Sequence, residues 1–309
     1  MNPRVSIVTP SYNQGQFIGE TIESVLGQDY PDLEYLIIDG GSTDQTVEIL
    51  RQYDDDPRVT WVSEPDKGMA NAINKGFAMS TGTVMGWLNS DDIYLGQVVR
   101  DTVDYFNAHP DIDLVYGDAV YTHPDGTPTG KRQVGQPFNF LNTLAYSNSV
   151  PQPGTFWRRE LWVQAGPLRE DLHMALDGEY WLRMSRYGRL RYIPGDRATY
   201  RLHDESKTMS QELKSWAERE RLAHEMLADP AQYPQVAGNR RLILATLAMQ
   251  MARVHHRDGD PQAARQHARR ALRLLPAKRR ALPILATVID TYLGTGLYGA
   301  LSRLTRAQR

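Results

Sequence analysis

Thr83-Val84-Met85-Gly86-Trp87-Leu88-Asn89-Ser90-Asp91-Asp92 is an apolar run that ends abruptly in an amide, a hydroxyl and two adjacent carboxylates. The run suits a buried strand, and in an open α/β sheet the carboxyl ends of the strands face the ligand crevice. Two acids at such an end can share a hard divalent cation, and that cation can neutralise a diphosphate. Asn, Ser and Asp also suit a turn and a helix cap. The surrounding chain favours the metal site.

Upstream, Val5-Ser6-Ile7-Val8-Thr9 reads as a buried strand closed by Pro10, and Ser11-Tyr12-Asn13-Gln14-Gly15 as a loop. Phe17, Ile18, Ile22, Val25 and Leu26 mark one face of a helix. A second strand, Tyr35-Leu36-Ile37-Ile38, ends in Asp39-Gly40-Gly41-Ser42-Thr43-Asp44. Ser42 with Gln45 fits a capping box for a helix carrying Val47, Ile49 and Leu50. Val59–Val62 is a third strand, and Glu64-Pro65-Asp66-Lys67-Gly68 turns into a helix through Ala70, Ile73, Asn74 and Phe77. Strands and helices alternating in units of about 30 residues predict an α/β domain, its mostly parallel sheet flanked by helices.

Downstream the rhythm changes. A helix is expected around 97–109, and Leu114–Tyr116 and Ala119–Tyr121 flank Gly117-Asp118. Asp125-Gly126 makes a hairpin turn. Phe156-Trp157 leads into a short helix from about Arg159, and Asp177 opens an amphipathic helix ended by Gly188. One strand near 190–193 and another ending at His203 complete the globular part, with a boundary near residue 210. The remainder, 211–309, reads as all-helical, with breaks at Asp229-Pro230, Gly238-Asn239, Asp258–Pro261 and Pro276. Asp260-Pro261 followed by Ala263, Ala264, Ala268, Ala271 and Leu272 resembles the second half of a helical-repeat hairpin.

The bulk numbers fit an ordinary globular chain: 309 residues, 41% hydrophobic, 23% charged, net charge −2. With no cysteine, disulfides, cysteine-ligated zinc and thiol catalysis are excluded, and a reducing compartment fits. With a first strand expected from Val5, no secretory signal is expected, and no window approaches 18 uninterrupted apolar residues. A cytoplasmic location is expected. Charge is uneven: 240–309 holds 14 Lys/Arg against Asp258, Asp260 and Asp290, a net +11, which leaves −13 on the rest. Two readings of this basic tail stand. One is a solvated face, or packing on the acidic part; the other docks Arg-rich helices near 265–280 on anionic lipid at the inner face of the membrane. Nucleic acid is not an expected partner, since the larger part is acidic and carries no recognition motif. Gly40-Gly41 is no dinucleotide fingerprint, because Gly-x-Gly-x-x-Gly is missing.

Val5–Asn13, Ile37–Asp44, Glu64–Gly76 and Trp87–Asp92 resemble, in order and spacing, the family-2 inverting glycosyltransferases with the GT-A fold. Pro-Gln-Pro-Gly-Thr-Phe-Trp at 151–157 and Asp-Gly-Glu-Tyr-Trp-Leu-Arg at 177–183 look like later blocks of one subgroup. The similarity covers roughly 4–208 and leaves out the tail. It implies a metal-dependent enzyme, using Mn²⁺ or Mg²⁺, that moves sugar from a nucleoside-diphosphate donor to a hydroxyl acceptor. UDP- or dTDP-sugars are the favoured donors, and a surface polysaccharide or lipid-linked glycan the acceptor.

The resemblance also implies site residues. Pro10, Ser11 and Tyr12 would touch the nucleoside. Asp39, at a strand end, could accept a hydrogen bond from a base N–H. Two successive acids are common there in the family, and Asp39-Gly40 departs from that, which puts the base contact in doubt. Asp66 and Lys67 could reach ribose or phosphate, or lie in a solvated turn. Asn89 replaces the first acid of the family's Asp-x-Asp or Asp-x-Asp-Asp motif, leaving Asp91 and Asp92. Asp92 is favoured as the direct metal ligand, with Asp91 on sugar, ribose, metal-bound water or the metal itself. Asp177 stands where the family's catalytic base stands, with Glu179 as competitor and a helix cap as its plain reading. His203 matches a histidine that could meet the diphosphate or metal. Asp118 and Trp157 are candidates for the acceptor cleft, and Trp181 and Leu182 for the core. A catalytically inactive sugar-nucleotide scaffold acting through the tail is the alternative. Nucleotidyl transfer is disfavoured because Ser11–Gln16 has no Lys or Arg.

Overall fold

A computed structural model describes residues 2–146, 149–203 and 212–274. By internal contacts the chain divides into two compact units: Met1–Phe138 with Ser149–Met209, and Asn139–Asn148 with Ser210–Arg309.

In the first unit, β1 (Val5–Ser11), β2 (Leu33–Asp39), β3 (Val59–Ser63) and β4 (Val84–Trp87) run parallel in the order β3-β2-β1-β4. Every residue of β1 is buried, as a strand covered on both faces requires. Pro10 does not close it: the strand continues through Ser11, which pairs with Asp39 of β2, itself opposite Ser63 of β3. Three strands thus end level at one edge. On one face α1 (Ile18–Leu26) and α4 (Val98–Ala108) bury Ile18, Ile22, Val99 and Val103 against Val5, Ile7, Tyr35 and Ile37. Helix α3 (Met69–Met79) covers the other face, where Phe77 meets the edge of Trp157.

Beyond β4 the sheet changes direction. β7 (Phe156–Arg158) pairs antiparallel with β4 and with β5 (Leu114–Thr122), which forms a hairpin with β6 (Pro128–Gln133) through Asp125-Gly126. Two expected breaks are absent. Gly117-Asp118 lies inside β5, and Pro194-Gly195 lies inside β8 (Leu190–Arg201), which runs parallel to β5 with register shifts at Tyr116–Ala119. Gly117 is small there because a β-carbon would stand 2.3 Å from Arg197 Cδ. Sequence periodicity sees the shift as an interruption, whereas hydrogen bonds to a neighbour carry the strand through it.

The capping box at Ser42 is also corrected. Helix α2 (Thr46–Leu50) starts at Thr46, whose amide is met by Asp44 Oδ1 at 3.0 Å, while the Ser42 hydroxyl donates to Asp39. Two short helices complete this unit, α6 (Arg159–Ala165) and α7 (Leu176–Met184).

The second unit comprises α5 (Phe140–Ala145), α8 (Glu212–Ala228), α9 (Arg240–Arg257) and α10 (Pro261–Leu274) among the described residues. The stretch 139–148, expected in the sheet domain, contributes α5 here, capped by Asn139 Oδ1 on the Asn142 amide at 2.9 Å. Helices α9 and α10 form a hairpin on a seam of Ala245, Ala248, Ala252, Ala268 and Ala271. Asp260 Oδ1 caps α10 through the Ala263 amide at 3.0 Å, with Pro261 at the first position. None of the described helices is long and apolar enough to cross a membrane. The break expected at Pro276, and the 275–280 part of the Arg-rich segment, lie outside the described residues.

Close packing of α3 on the sheet generates a stability test. A β-carbon on Gly76 would sit 2.4 Å from Val8 Cγ1 and 3.2 Å from Ile38 Cγ1. Overpacking costs about 1–3 kcal/mol, against a helix-propensity gain of about 1 kcal/mol for Gly→Ala. Gly76→Ala is therefore expected to lower stability in urea unfolding; an unchanged or raised midpoint would refute the packing.

Candidate active site

The site is built by loops that bond to one another where β1, β2 and β3 end. The Asn13 amide donates to Ser42 Oγ at 2.7 Å, the Gln14 amide to Thr46 Oγ1 at 3.0 Å, and the Gly15 amide to Asp44 Oδ2 at 2.8 Å. Asn13 Oδ1 returns one bond from the Thr43 amide at 2.9 Å. Asn13 holds φ of 52°, a left-handed conformation that asparagine tolerates better than most. The two polar motifs at 11–15 and 39–44 are thus one interlocked structure.

Asp39 anchors that structure from within. Its residue is fully buried, and its Oδ2 accepts the Gly41 amide at 3.2 Å, the Ser42 amide at 2.9 Å and the Ser63 hydroxyl at 2.6 Å. Its Oδ1 accepts the Ser42 hydroxyl. A buried carboxylate needs such a set of donors. The expected base contact by Asp39 is corrected accordingly, since its carboxylate is turned into the protein and does not border the cavity described below.

The acidic loop after β4 is held from β8. Arg201, only 2% exposed, donates from its backbone amide to Asp92 Oδ1 at 2.9 Å and from Nε to the Asp91 carbonyl at 2.8 Å. Its Nη1 and Nη2 reach the Pro124 carbonyl at 2.6 Å and Glu20 at 2.5 Å, and the guanidinium lies 4.8 Å over the Phe17 ring. The Thr21 hydroxyl lies 2.9 Å and 2.8 Å from the Ser90 and Asp92 carbonyl oxygens. Asn89, in the place of the motif's first acid, takes the Trp87 indole N–H at 2.8 Å and donates to Gln152 at 3.1 Å. Gln152 in turn donates to the Trp87 carbonyl at 2.6 Å.

The two aspartates of this loop differ. Asp92 is 2% exposed, and burial together with the charge of Asp91 pushes its carboxyl well above the usual carboxylate range. Asp91 Oδ2 lies 2.9 Å from Nε2 of His203, two residues past Arg201, and the His203 ring packs 4.8 Å from Phe17. Asp92, expected as the direct metal ligand, lines the cavity and has one oxygen on the Arg201 amide.

Asp177 is the second residue of α7, with its Oδ1 on the Gly178 amide at 2.7 Å. Glu179 is 3% exposed, and both its oxygens accept from Arg183, each at 2.9 Å. The same guanidinium donates to the Ala165 and Pro167 carbonyls, so Glu179 serves to hold α7 against the end of α6.

A single cavity of about 850 Å³ brings the predicted residues together. Pro10, Ser11, Tyr12, Asp66, Asp91, Asp92, Asp177 and His203 line it; Asp39, Lys67 and Glu179 do not. Lys67 is exposed in the turn before α3. Asp118 and Trp157, expected near an acceptor, are likewise elsewhere. Asp118 Oδ1 accepts the Gly135 amide at 2.8 Å and the Tyr192 hydroxyl at 2.7 Å. Trp157 is fully buried against Phe77, Tyr180 and Trp181, and Leu182 is buried too.

Sequence reasoning missed Gln152, His173 and Tyr200 as cavity residues. Gln152 stood inside the Pro-Gln-Pro-Gly run and could have been singled out. His173 and Tyr200 carried no local signal. Among the described residues the Ser11 hydroxyl and Gln14 Oε1, both buried in the cavity wall, have no hydrogen-bond partner. Among the described residues no three His, Asp or Glu side chains form a complete metal cage. One carboxylate and one imidazole, at Asp91 and His203, still fit a cation that fills its other positions with phosphate oxygens and water.

Comparisons agree with this architecture. Residues 6–162 match the model of the glycosyl transferase family 2. A chondroitin synthase of Escherichia coli is 29% identical over 195 residues, 62% of this chain and 28% of that protein. A PGL/p-HBAD biosynthesis glycosyltransferase of Mycobacterium tuberculosis is 27% identical over 184 residues, 59% of this chain and 69% of that protein. The chain therefore spans little more than a quarter of the chondroitin synthase it matches. Among solved structures, S. aureus TarS 1–349 in complex with UDP-GlcNAc superimposes with a TM-score of 0.55 at 17% identity, covering 93% of this chain and 81% of that one. The mannosyltransferase PcManGT of Pyrobaculum calidifontis, in complex with GDP-Man and Mn²⁺, gives 0.54 at 19% identity, covering 96% and 88%. The shared fold is the GT-A arrangement of a mostly parallel sheet between helices, with a helical C-terminal region. Strand ends, interlocked loops and family match point the same way: the chain belongs to glycosyl transferase family 2.

Proposed function

We propose that this chain is a metal-dependent, inverting glycosyltransferase that moves a sugar from a nucleoside-diphosphate donor to a hydroxyl acceptor. The observation that carries the reading is the convergence of Asp177 and the Asp91–His203 pair on one cavity, although 86 residues separate Asp91 from Asp177. Asp91 and His203 would hold Mn²⁺ or Mg²⁺, which when bound neutralises the donor diphosphate and makes it a better leaving group. Tyr12, 60% exposed at the cavity, offers a face for the base, and the Ser11 hydroxyl a hydrogen bond to the nucleoside.

The acceptor oxygen attacks the anomeric carbon as the carbon–oxygen bond to the diphosphate breaks, and Asp177 takes the hydroxyl proton. One displacement in line inverts the anomeric centre, and no second nucleophile is needed. Asp177 is preferred to Glu179 because Arg183 occupies both oxygens of Glu179.

UDP- or dTDP-sugars remain the favoured donors, supported by the likeness to a structure with UDP-GlcNAc. A polysaccharide or lipid-linked acceptor is supported by the similarity to a chondroitin synthase and to a PGL/p-HBAD glycosyltransferase. Work on such acceptors at the inner face of the membrane gives the basic helices a role, since Arg265 and Arg273 are exposed on α10. An inactive scaffold is the second reading, suggested by Asn89; yet Asn89 bonds Trp87 and Gln152 and leaves Asp91 in the cavity.

Asp177→Asn is expected to lower transfer by roughly 10²–10⁴-fold while donor affinity stays, because only the proton acceptor is removed. Glu179→Gln should lower thermal stability instead, since it weakens a buried ion pair. Equal turnover for Asp177→Asn and the parent would refute the assignment. Donor hydrolysis in Mn²⁺ should stop with EDTA, and Asp91→Asn should weaken metal-dependent donor binding at least several-fold. Hydrolysis indifferent to both would favour the scaffold.

A further inference from the structure

A carboxylate occupies the space that a side chain at position 40 would take. A β-carbon built on Gly40 would lie 2.9 Å from Asp66 Oδ2 and 3.2 Å from its Cγ. Asp66 stands in the turn between β3 and α3, and its Oδ1 accepts the Gly68 amide at 2.6 Å. Gly68 has φ of 108°, a conformation that favours glycine, so the turn that carries Asp66 over Gly40 is set by the backbone. Asp66 and Gly40 both line the cavity, whereas Asp39 is buried under Ser42 and Ser63. At this end of the strands, Asp66 is the acid that the cavity meets.

We propose that Asp66 reads the donor's nucleobase in place of a side chain at position 40, and that it selects a base with a ring N–H, uracil over cytosine. The inference rests on the donor reading above. An ionised carboxylate accepts hydrogen bonds and donates none. Uracil and thymine present N3–H, which Asp66 Oδ2 can accept. Cytosine presents a lone pair at the same ring position, which a carboxylate repels. Sites that pair a substrate N–H with a fixed polar group discriminate strongly, because the wrong ligand leaves that group unmet. Asp66 thus brings a carboxylate to the place beside Gly40 from the end of β3.

Calorimetric titration of the full chain with UDP and with CDP, in Mn²⁺, tests this. UDP is expected to bind about ten-fold or more tightly than CDP, the scale of one hydrogen bond to a charged group. Asp66→Ala should weaken UDP by a similar factor and bring the UDP:CDP ratio towards one. Asp66→Asn, which keeps the shape of the turn, should also narrow the ratio, since its amide can turn a donor to cytosine. Gly40→Asp alone should weaken UDP by setting two carboxylates together, and Gly40→Asp combined with Asp66→Ala should recover the preference. If the parent binds UDP and Asp66→Ala leaves both affinity and ratio unchanged, or if the parent binds both nucleotides alike, the inference fails while the donor reading stands. A parent that binds neither nucleotide removes the donor reading, and this inference with it.

Discussion

The structure depends on one buried guanidinium. Arg201 sits at the end of β8 and donates to the Asp91 and Pro124 carbonyls and to Glu20 while lying over Phe17. It therefore ties together the acidic loop after β4, the turn between β5 and β6, and α1. A guanidinium taken out of water must keep its donors satisfied, and removing a partner of a buried charge costs about 3–5 kcal/mol. The position of the loop is consequently not adjustable. With the Arg201 amide fixed on Asp92, the chain's next turn delivers His203 to Asp91. One residue sets both the place of the acids and the histidine beside them.

Three times in this fold, two neighbouring or competing acids divide their work by burial. Asp92, Asp39 and Glu179 are each no more than 3% exposed and bond inward, to an amide, to a set of amides and hydroxyls, and to an arginine. Asp91, Asp66 and Asp177 line the cavity, and of the buried three only Asp92 reaches it as well. The physical rule is the same in each case: a carboxylate can be buried only where donors meet it, and one so met has little left for a ligand. Sorting the acids by their partners therefore separates those that hold the loops from those that can bind or react.

That sorting explains what the sequence could and could not reveal. The parallel strands were legible because Tyr35–Ile38 is apolar at consecutive positions and Val5–Val8 is interrupted only by Ser6, as a doubly covered strand allows. The turn at Asp125-Gly126 was legible because Gly126 takes φ of 82°. Asp39 was misread because one of its donors, Ser63, comes from another strand, 24 residues away. The amide that holds Asp92 was not legible for the same reason, lying 109 residues on. Residues 139–148 were assigned to the sheet domain by continuity of chain, yet Tyr146 packs on the alanine seam of the helical hairpin. Local pattern reports faces and turns; it does not report which distant donor arrives.

The order of the strands also arranges the chemistry. Asp66 follows β3, Gly40 follows β2, Ser11 ends β1 and Asp91 follows β4, so the cavity walls run across four neighbouring strand ends. Adjacent strands lie about 4.8 Å apart, which sets roughly 14 Å between the β3 and β4 sides. On the proposed reading the base lies at the first of these ends and the diphosphate at the last, with the nucleoside across Ser11 between them. The buried Ser11 hydroxyl has no partner among the described residues, and such a group is costly unless a ligand or water satisfies it. A polar occupant spanning the middle of the cavity would meet that demand, and a nucleoside held at both ends by carboxylates of opposite duty, one reading N–H and one binding metal, is an occupant whose polar groups match all three stations.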